Sequence, residues 1–185
     1  MSLASIEKVT VIGGGIMGRQ IALNAAQHQF SVALTDTDAS VLEKAEQWAG
    51  EYLSTQVKKG RMTSEEAKAV LQRLTYVPEL SQALAGCDLV IEAIVEKEDV
   101  KRKLFISVDH LISGGAIIAT NSSYIPSSVY CNDISHPERL INLHYFNPAM
   151  KMELVEIVAG PHTSPVVVEA LQQFAKKIGK YAILV

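Results

Sequence analysis

Short runs of consecutive apolar residues alternate along this chain with longer stretches in which apolar residues recur every three or four positions. That is the pattern of buried strands separated by amphipathic helices. Val9, Thr10, Val11 and Ile12 form a β-branched run, and the segment after it places Ile21, Ala22, Ala25 and Ala26 on one helical face. Residues 31–35 read as a second strand. Val41, Leu42, Ala45, Trp48, Ala49 and Tyr52 are then spaced for a long helix over 39–59, closed by Gly60. Thr63 with Glu66 has capping-box spacing and opens another helix through Leu71, so the two make a helical hairpin. Further strands are expected at 74–77, 88–94, 116–120, 140–144, 154–158 and 181–185. Helices are expected at 78–85, from Val95 to Ile112, as a short turn at 126–130, and at 164–178 with Gly179 as its stop. The run at 88–94 is apolar on both faces, which suits a central parallel strand covered on each side.

Between the first strand and the first helix, Gly13-Gly14-Gly15-Ile16-Met17-Gly18 has the spacing Gly-x-Gly-x-x-Gly. Gly13 suits the tight turn, Gly15 lets backbone approach a pyrophosphate, and Gly18 lets helix and sheet lie close. The helix start, with Ile16 and Met17, offers free N–H groups and the positive dipole end to phosphate. Asp36 follows the second strand, where an acid accepts hydrogen bonds from ribose hydroxyls and repels a 2′-phosphate, so NAD is expected rather than NADP. Asn121-Ser122-Ser123 ends the strand at 116–120, the place where open α/β sheets bind ligands. Asn121 therefore counts among the expected cofactor-binding residues. The fold class that results is α/β: one Rossmann-type doubly wound, mostly parallel sheet over residues 1–185, with the helical hairpin inserted and some mixed strands late in the chain.

Composition narrows the picture further. The chain has 185 residues, 48% hydrophobic and 20% charged, with a formal net charge of −3. Such a balance gives no overall basic field for nucleic acid or anionic membrane, and no apolar run is long enough to span a bilayer. Cys87 and Cys131 lie far apart without metal-type spacing, so reduced thiols, a cytoplasmic setting and no metal site are expected. The basic turn Lys58-Lys59-Gly60-Arg61 reads as a solvated helix end, or as an arm for a phosphorylated substrate.

Two groups stand out as chemistry. His144 ends a strand just before a proline-broken loop, where a side chain can project into a crevice. Glu156 sits inside an apolar strand and is expected to be buried, hence paired, with a histidine as a suitable partner. The run Asn142-Leu143-His144-Tyr145-Phe146-Asn147-Pro148, followed by Met150-Lys151-Met152-Glu153-Leu154-Val155-Glu156, closely resembles the signature of the 3-hydroxyacyl-CoA dehydrogenases. Glu92-Ala93-Ile94-Val95-Glu96 and Ala119-Thr120-Asn121-Ser122-Ser123 resemble two further blocks of that family, in the same order.

The resemblance implies NAD-dependent interconversion of (S)-3-hydroxyacyl-CoA and 3-ketoacyl-CoA, in fatty-acid β-oxidation or short-chain metabolism. It implies His144 as the catalytic base and Glu156 as the acid that orients it. Ser123 and Asn147 match groups around the substrate oxygen, Glu96 and Lys101 match cofactor contacts near the nicotinamide, and Lys59 matches a basic residue toward coenzyme A. Ala149-Met150 departs from the family, whose members often have a second proline there, and this bears on loop shape and acyl-chain preference. The family also carries a helical domain beyond this length of chain, through which a homodimer is expected to form. Two other readings stay open: a cofactor-binding module with little turnover, and a dehydrogenase of a non-CoA hydroxy acid.

Overall fold

The computed structural model describes residues 6–112 and 115–185. Eight strands form one sheet: β1 (Lys8–Ile12), β2 (Ser31–Thr35), β3 (Leu74–Tyr76), β4 (Leu89–Glu92), β5 (Ile117–Thr120), β6 (Leu140–Tyr145), β7 (Leu154–Val158) and β8 (Tyr181–Leu184). Among the described residues six α-helices accompany them: α1 (Ile16–Gln27), α2 (Ala39–Lys58), α3 (Ser64–Gln72), α4 (Leu80–Ala83), α5 (Glu98–Leu111) and α6 (Pro165–Lys177). The strand order is β3-β2-β1-β4-β5-β6-β7-β8. The first six strands run parallel, β7 pairs antiparallel with β6, and β8 pairs parallel with β7. The expected doubly wound sheet with mixed late strands is therefore the fold observed.

Alternation along each strand divides the core in two. Val9, Val11, Leu89, Ile91, Ile117, Ala119, Ile141 and Leu143 face the layer built by α1, α2, α3 and α6. Val90, Ile118 and Leu140 face the other layer, with Phe105 and Val108 of α5 and Tyr130 of a 3₁₀ turn at Ser127–Tyr130. The Ile21, Ala22, Ala25 and Ala26 face of α1 is fully buried, as its spacing predicts. In the hairpin, Thr63 caps α3 with a capping box to Glu66, and the Lys58-Lys59-Gly60-Arg61 turn is exposed, as a solvated helix end should be.

Two sequence expectations change. The helix expected from Val95 begins only at Glu98, because the Lys97 N–H turns back to the Val95 carbonyl, and this leaves Glu96 in the turn before α5. The strand expected at 88–94, almost wholly apolar, ends earlier, at Glu92, an acid with no exposed surface. β1 leads outward to β2 and β3, whereas β4, on its other side, leads outward to β5 and β6. The crevice for a ligand opens at the carboxyl ends of β1 and β4, where the order reverses.

Candidate active site

The turn after β1 is shaped by its glycines. Gly13 adopts φ +105, and a Cβ there would lie 2.6 Å from the Ala93 carbonyl oxygen at the end of β4. A Cβ at Gly18 would overlap the Gly13 carbonyl, so helix and turn touch backbone to backbone. At Gly15, in contrast, an added Cβ would meet no protein atom within 4 Å. Gly15 is the N-cap of α1, without a side-chain cap and with no acid in the first turn, whereas Asp38 caps α2 and Thr63 caps α3. The start of α1 thus keeps its orphan N–H groups and its positive dipole end open, with room for backbone to meet a pyrophosphate. This fits a dinucleotide. Asp36 accepts from the Gly14 N–H at 2.8 Å and from the Asp38 N–H at 3.0 Å, one on each oxygen. Each oxygen keeps a lone pair for a ribose hydroxyl.

Beyond the turn, a cleft of about 350 Å³ gathers residues from α1, α5, the end of β6 and the segments that follow β4, β5 and β6. Met17, Glu96, Lys101, Asn121, Ser123, His144 and Asn147 all line it. Two other hollows, of about 820 and 530 Å³, lie at the amino ends of the strands and beside α6, away from this chemistry. Lys59 is exposed at the end of α2 and does not line the cleft.

His144 and Glu156 are direct cross-strand partners in the antiparallel β6–β7 ladder. Their Nδ1 and Oε2 atoms lie 2.9 Å apart. Phe146 packs on the imidazole with ring centroids 4.8 Å apart. Asn121 accepts the Tyr145 N–H at 2.9 Å, which ties the end of β5 to the strand end that bears the histidine. The pairing of Glu156 is as expected, but its burial is not: the side chain is 35% exposed. Val155 and Ile157 point into the α6 layer, while Leu154, Glu156 and Val158 lie half-buried on the opposite face near the sheet edge. The carboxylate pairs because its partner is opposite it, not because solvent is excluded.

The cleft floor holds a network that the sequence did not announce. Glu92 accepts from the Ile94 N–H at 2.7 Å, from Thr120 Oγ1 at 2.6 Å, and from Lys101 Nζ at 2.6 and 2.8 Å. Lys101, 1% exposed, also meets Glu96 Oε2 at 3.0 Å, and Ser122 Oγ bonds Glu96 Oε1. All three ammonium protons are thereby directed at carboxylates. Lys101 lines the cleft but acts through Glu96 rather than as a free donor. The available signal was one acid ending an apolar strand, with a lysine nine residues on. Gln20 and Lys180 were also missed. Gln20 Oε1 accepts the Met150 N–H at 3.3 Å, and Lys180 Nζ donates to the carbonyls of Ala149 and Met152 at 2.8 and 2.7 Å, so both hold the loop that carries Asn147. Burial lowers the Lys180 pKa from its ordinary value, and Glu153 opposes that shift.

Comparison with known proteins agrees with this geometry. Residues 8–185 match the family described as 3-hydroxyacyl-CoA dehydrogenase, NAD binding domain. A 3-hydroxybutyryl-CoA dehydrogenase of Bradyrhizobium diazoefficiens is 40% identical over 177 residues, covering 96% of this chain and 60% of the relative. A 3-hydroxyadipyl-CoA dehydrogenase of Escherichia coli K12 is 38% identical, covering 98% of this chain and 38% of the relative. Crystal structures of 3-hydroxybutyryl-CoA dehydrogenase from Escherichia coli K12 and of (S)-3-hydroxybutyryl-CoA dehydrogenase from Ralstonia eutropha superpose with TM-scores of 0.95 and 0.94. Their identities to this chain are 38% and 31%; each alignment covers 98% of this chain, and 38% and 64% of theirs. The chain thus spans between 38% and 60% of the length of these curated relatives. With glycine turn, sheet order and the three sequence blocks all in agreement, the chain belongs to the 3-hydroxyacyl-CoA dehydrogenase family, in its NAD-binding domain.

Proposed function

We propose that this chain is the cofactor-binding and catalytic part of an NAD-dependent oxidoreductase that interconverts (S)-3-hydroxyacyl-CoA and 3-ketoacyl-CoA. The observation that carries the reading is the 2.9 Å His144–Glu156 contact beside a cleft at the carboxyl ends of the parallel strands. When bound, NAD supplies the hydride acceptor or donor at C3 of the substrate.

The chain's own residues supply the rest. Glu156 accepts the Nδ1–H of His144, which fixes the tautomer and leaves the Nε2 lone pair as the base. Nε2 can then take the hydroxyl proton in one direction and return it in the other. Glu156 balances the imidazolium that forms. Ser123 and Asn147, both exposed in the cleft, donate hydrogen bonds to the substrate oxygen as it gains charge. Gly15 and the first turn of α1 hold the pyrophosphate, Asp36 the ribose, and Glu96, steadied by Lys101, offers an acceptor on the nicotinamide side. Lys59 is the residue proposed to meet the coenzyme A phosphates. Its exposure leaves it free to do so, and it acts from outside the cleft.

A place in fatty-acid metabolism and a cytoplasmic setting belong to the same reading, the latter supported by two free thiols at Cys87 and Cys131. Homodimer formation through the family's helical domain belongs to it as well. The test follows loss of NADH absorbance with acetoacetyl-CoA. His144→Ala is expected to abolish turnover, and Glu156→Gln to lower it by about 10²-fold or more while NADH still binds. Full activity in His144→Ala would sink the assignment of the base.

A further inference from the structure

We propose that Glu92, Lys101 and Glu96 form a wall of fixed net charge −1 that makes the site prefer the oxidised, cationic nicotinamide to the reduced, neutral one; this rests on the dehydrogenase reading above. Hydrogen bonding sets the charges. The two oxygens of Glu92 receive four donor contacts, from Ile94 N, Thr120 Oγ1 and Lys101 Nζ twice, which leaves no position for a proton. Glu92 is an anion. Lys101, held 2.6 Å from Glu92 and 3.0 Å from Glu96, is a cation, and Glu96 accepts on both oxygens, from Lys101 and Ser122. One positive and two negative charges remain, with one carboxylate in excess.

Placement follows from the chemistry. A carbon whose hydroxyl proton goes to His144 must present its hydride to the ring at the same moment, so the ring shares the cleft with His144. Glu96 and Lys101 line that cleft. A single buried Glu92–Lys101 pair would satisfy both groups and would be neutral. Glu96 breaks that neutrality, and it is the member of the three that is 31% exposed. Glu92 and Lys101 are 0% and 1% exposed, so solvent and salt screen them little. Reduction adds a hydride to the ring and removes its positive charge, so an anionic wall stabilises the ring before reduction and not after it. The bound couple is thereby made more reducing, which favours the ketone-to-alcohol direction.

The experiment measures the affinity of the 185-residue chain for NAD+ and for NADH separately by titration calorimetry. Glu92→Gln and Glu96→Gln each cancel the net charge. Either should raise the ratio of the NAD+ to the NADH dissociation constant by about tenfold, a shift of about 30 mV for the two-electron couple. A lost contact to Glu96 would weaken both forms alike, whereas the ratio reads charge. Glu98→Gln, at the exposed pair with Arg102, should leave the ratio unchanged. Circular dichroism monitors folding. If Glu92→Gln does not fold, Glu96→Gln removes the same unit charge from a half-exposed position and decides alone. Both forms bound with an unchanged ratio in the folded variants would overturn the proposal and leave the dehydrogenase reading intact. Failure of the unaltered chain to bind either form would overturn the reading and this inference together.

Discussion

Gly15 and Gly18 lie three residues apart in one motif, yet the same substitution to alanine should break two different things. At Gly18 the new Cβ would sit 2.9 Å from the Gly13 carbonyl carbon and overlap its oxygen. Gly13 cannot retreat, because it is boxed in: its N–H is bonded to the Thr35 carbonyl at 2.8 Å, and its own α-carbon faces the Ala93 carbonyl so closely that a Cβ there would lie 2.6 Å from the oxygen. Helix α1 must instead move outward, lifting its buried Ile21, Ala22 and Ala25 off the sheet. Overpacking of this kind costs about 3 kcal/mol, which in a domain of this size lowers Tm by roughly 6–12 °C. At Gly15 the Cβ enters open space, and the backbone there, φ −63 and ψ −169, is one that alanine adopts. Gly15→Ala should therefore change stability by no more than about 0.5 kcal/mol. The methyl would occupy the space into which the pyrophosphate comes, so affinity for NAD+ should fall by about tenfold or more. Thermal unfolding and calorimetric titration of both variants give the two readouts. Equal destabilisation of Gly15→Ala and Gly18→Ala, or a Gly18→Ala variant that unfolds at the unaltered temperature, would show that the two glycines do not divide these roles.

Lys101→Met should cost about 3–5 kcal/mol in urea unfolding, because it strands the Glu92 carboxylate with no exposed surface and no counter-charge; a loss under about 1 kcal/mol would show that the ion pair matters little. His162 supplies a pH dependence. Burial holds its imidazole below the ordinary 6.5, against an opposing hydrogen bond with the Leu140 backbone. The unfolded chain therefore takes up that proton first, so this contribution to stability is complete above pH 6.5 and is lost as pH falls through 6.5 toward the lower folded value. Urea midpoints at pH 7.5 and 5.5 should fall less in His162→Gln than in the unaltered chain, and an identical fall would assign the effect to other groups.

Much of this fold was legible because the relevant patterns are local. The β-branched run at 9–12, the glycine turn and the Thr63–Glu66 capping box each specify their element from a handful of neighbouring residues. His144 and Glu156 were legible for a related reason, as polar groups placed where an apolar strand leaves them conspicuous. The Glu92–Lys101 pair was not, since its logic is spatial: the lysine sits one helical turn into α5 and reaches back under β4, and only the late start of α5 frees Glu96 to join. Gln20 illustrates the limit best. Its partner Met150 is 130 positions away, and no periodicity links the two. The burial of Glu156 was misjudged for the opposite reason. Period-2 alternation tells which face a residue is on, but which face is covered depends on where the helices pack.

The antiparallel reversal between β6 and β7 makes a counting requirement out of the proposed acid–base pair. His144 stands opposite Glu156 only because eight residues, 146–153, connect the two strands in their present register. Because side chains alternate faces, adding or deleting one residue in that connection and letting the strands slide by one would carry the carboxylate to the α6 side and bring Val155 or Ile157 opposite the imidazole. Loop composition is the freer variable, because Gln20 and Lys180 hold the loop through backbone groups of Ala149, Met150 and Met152, while loop length is tied to the His144–Glu156 contact. A one-residue insertion or deletion in this segment should therefore break the His144–Glu156 contact where a substitution in the loop leaves it, since the spacing of twelve is what keeps the two in register.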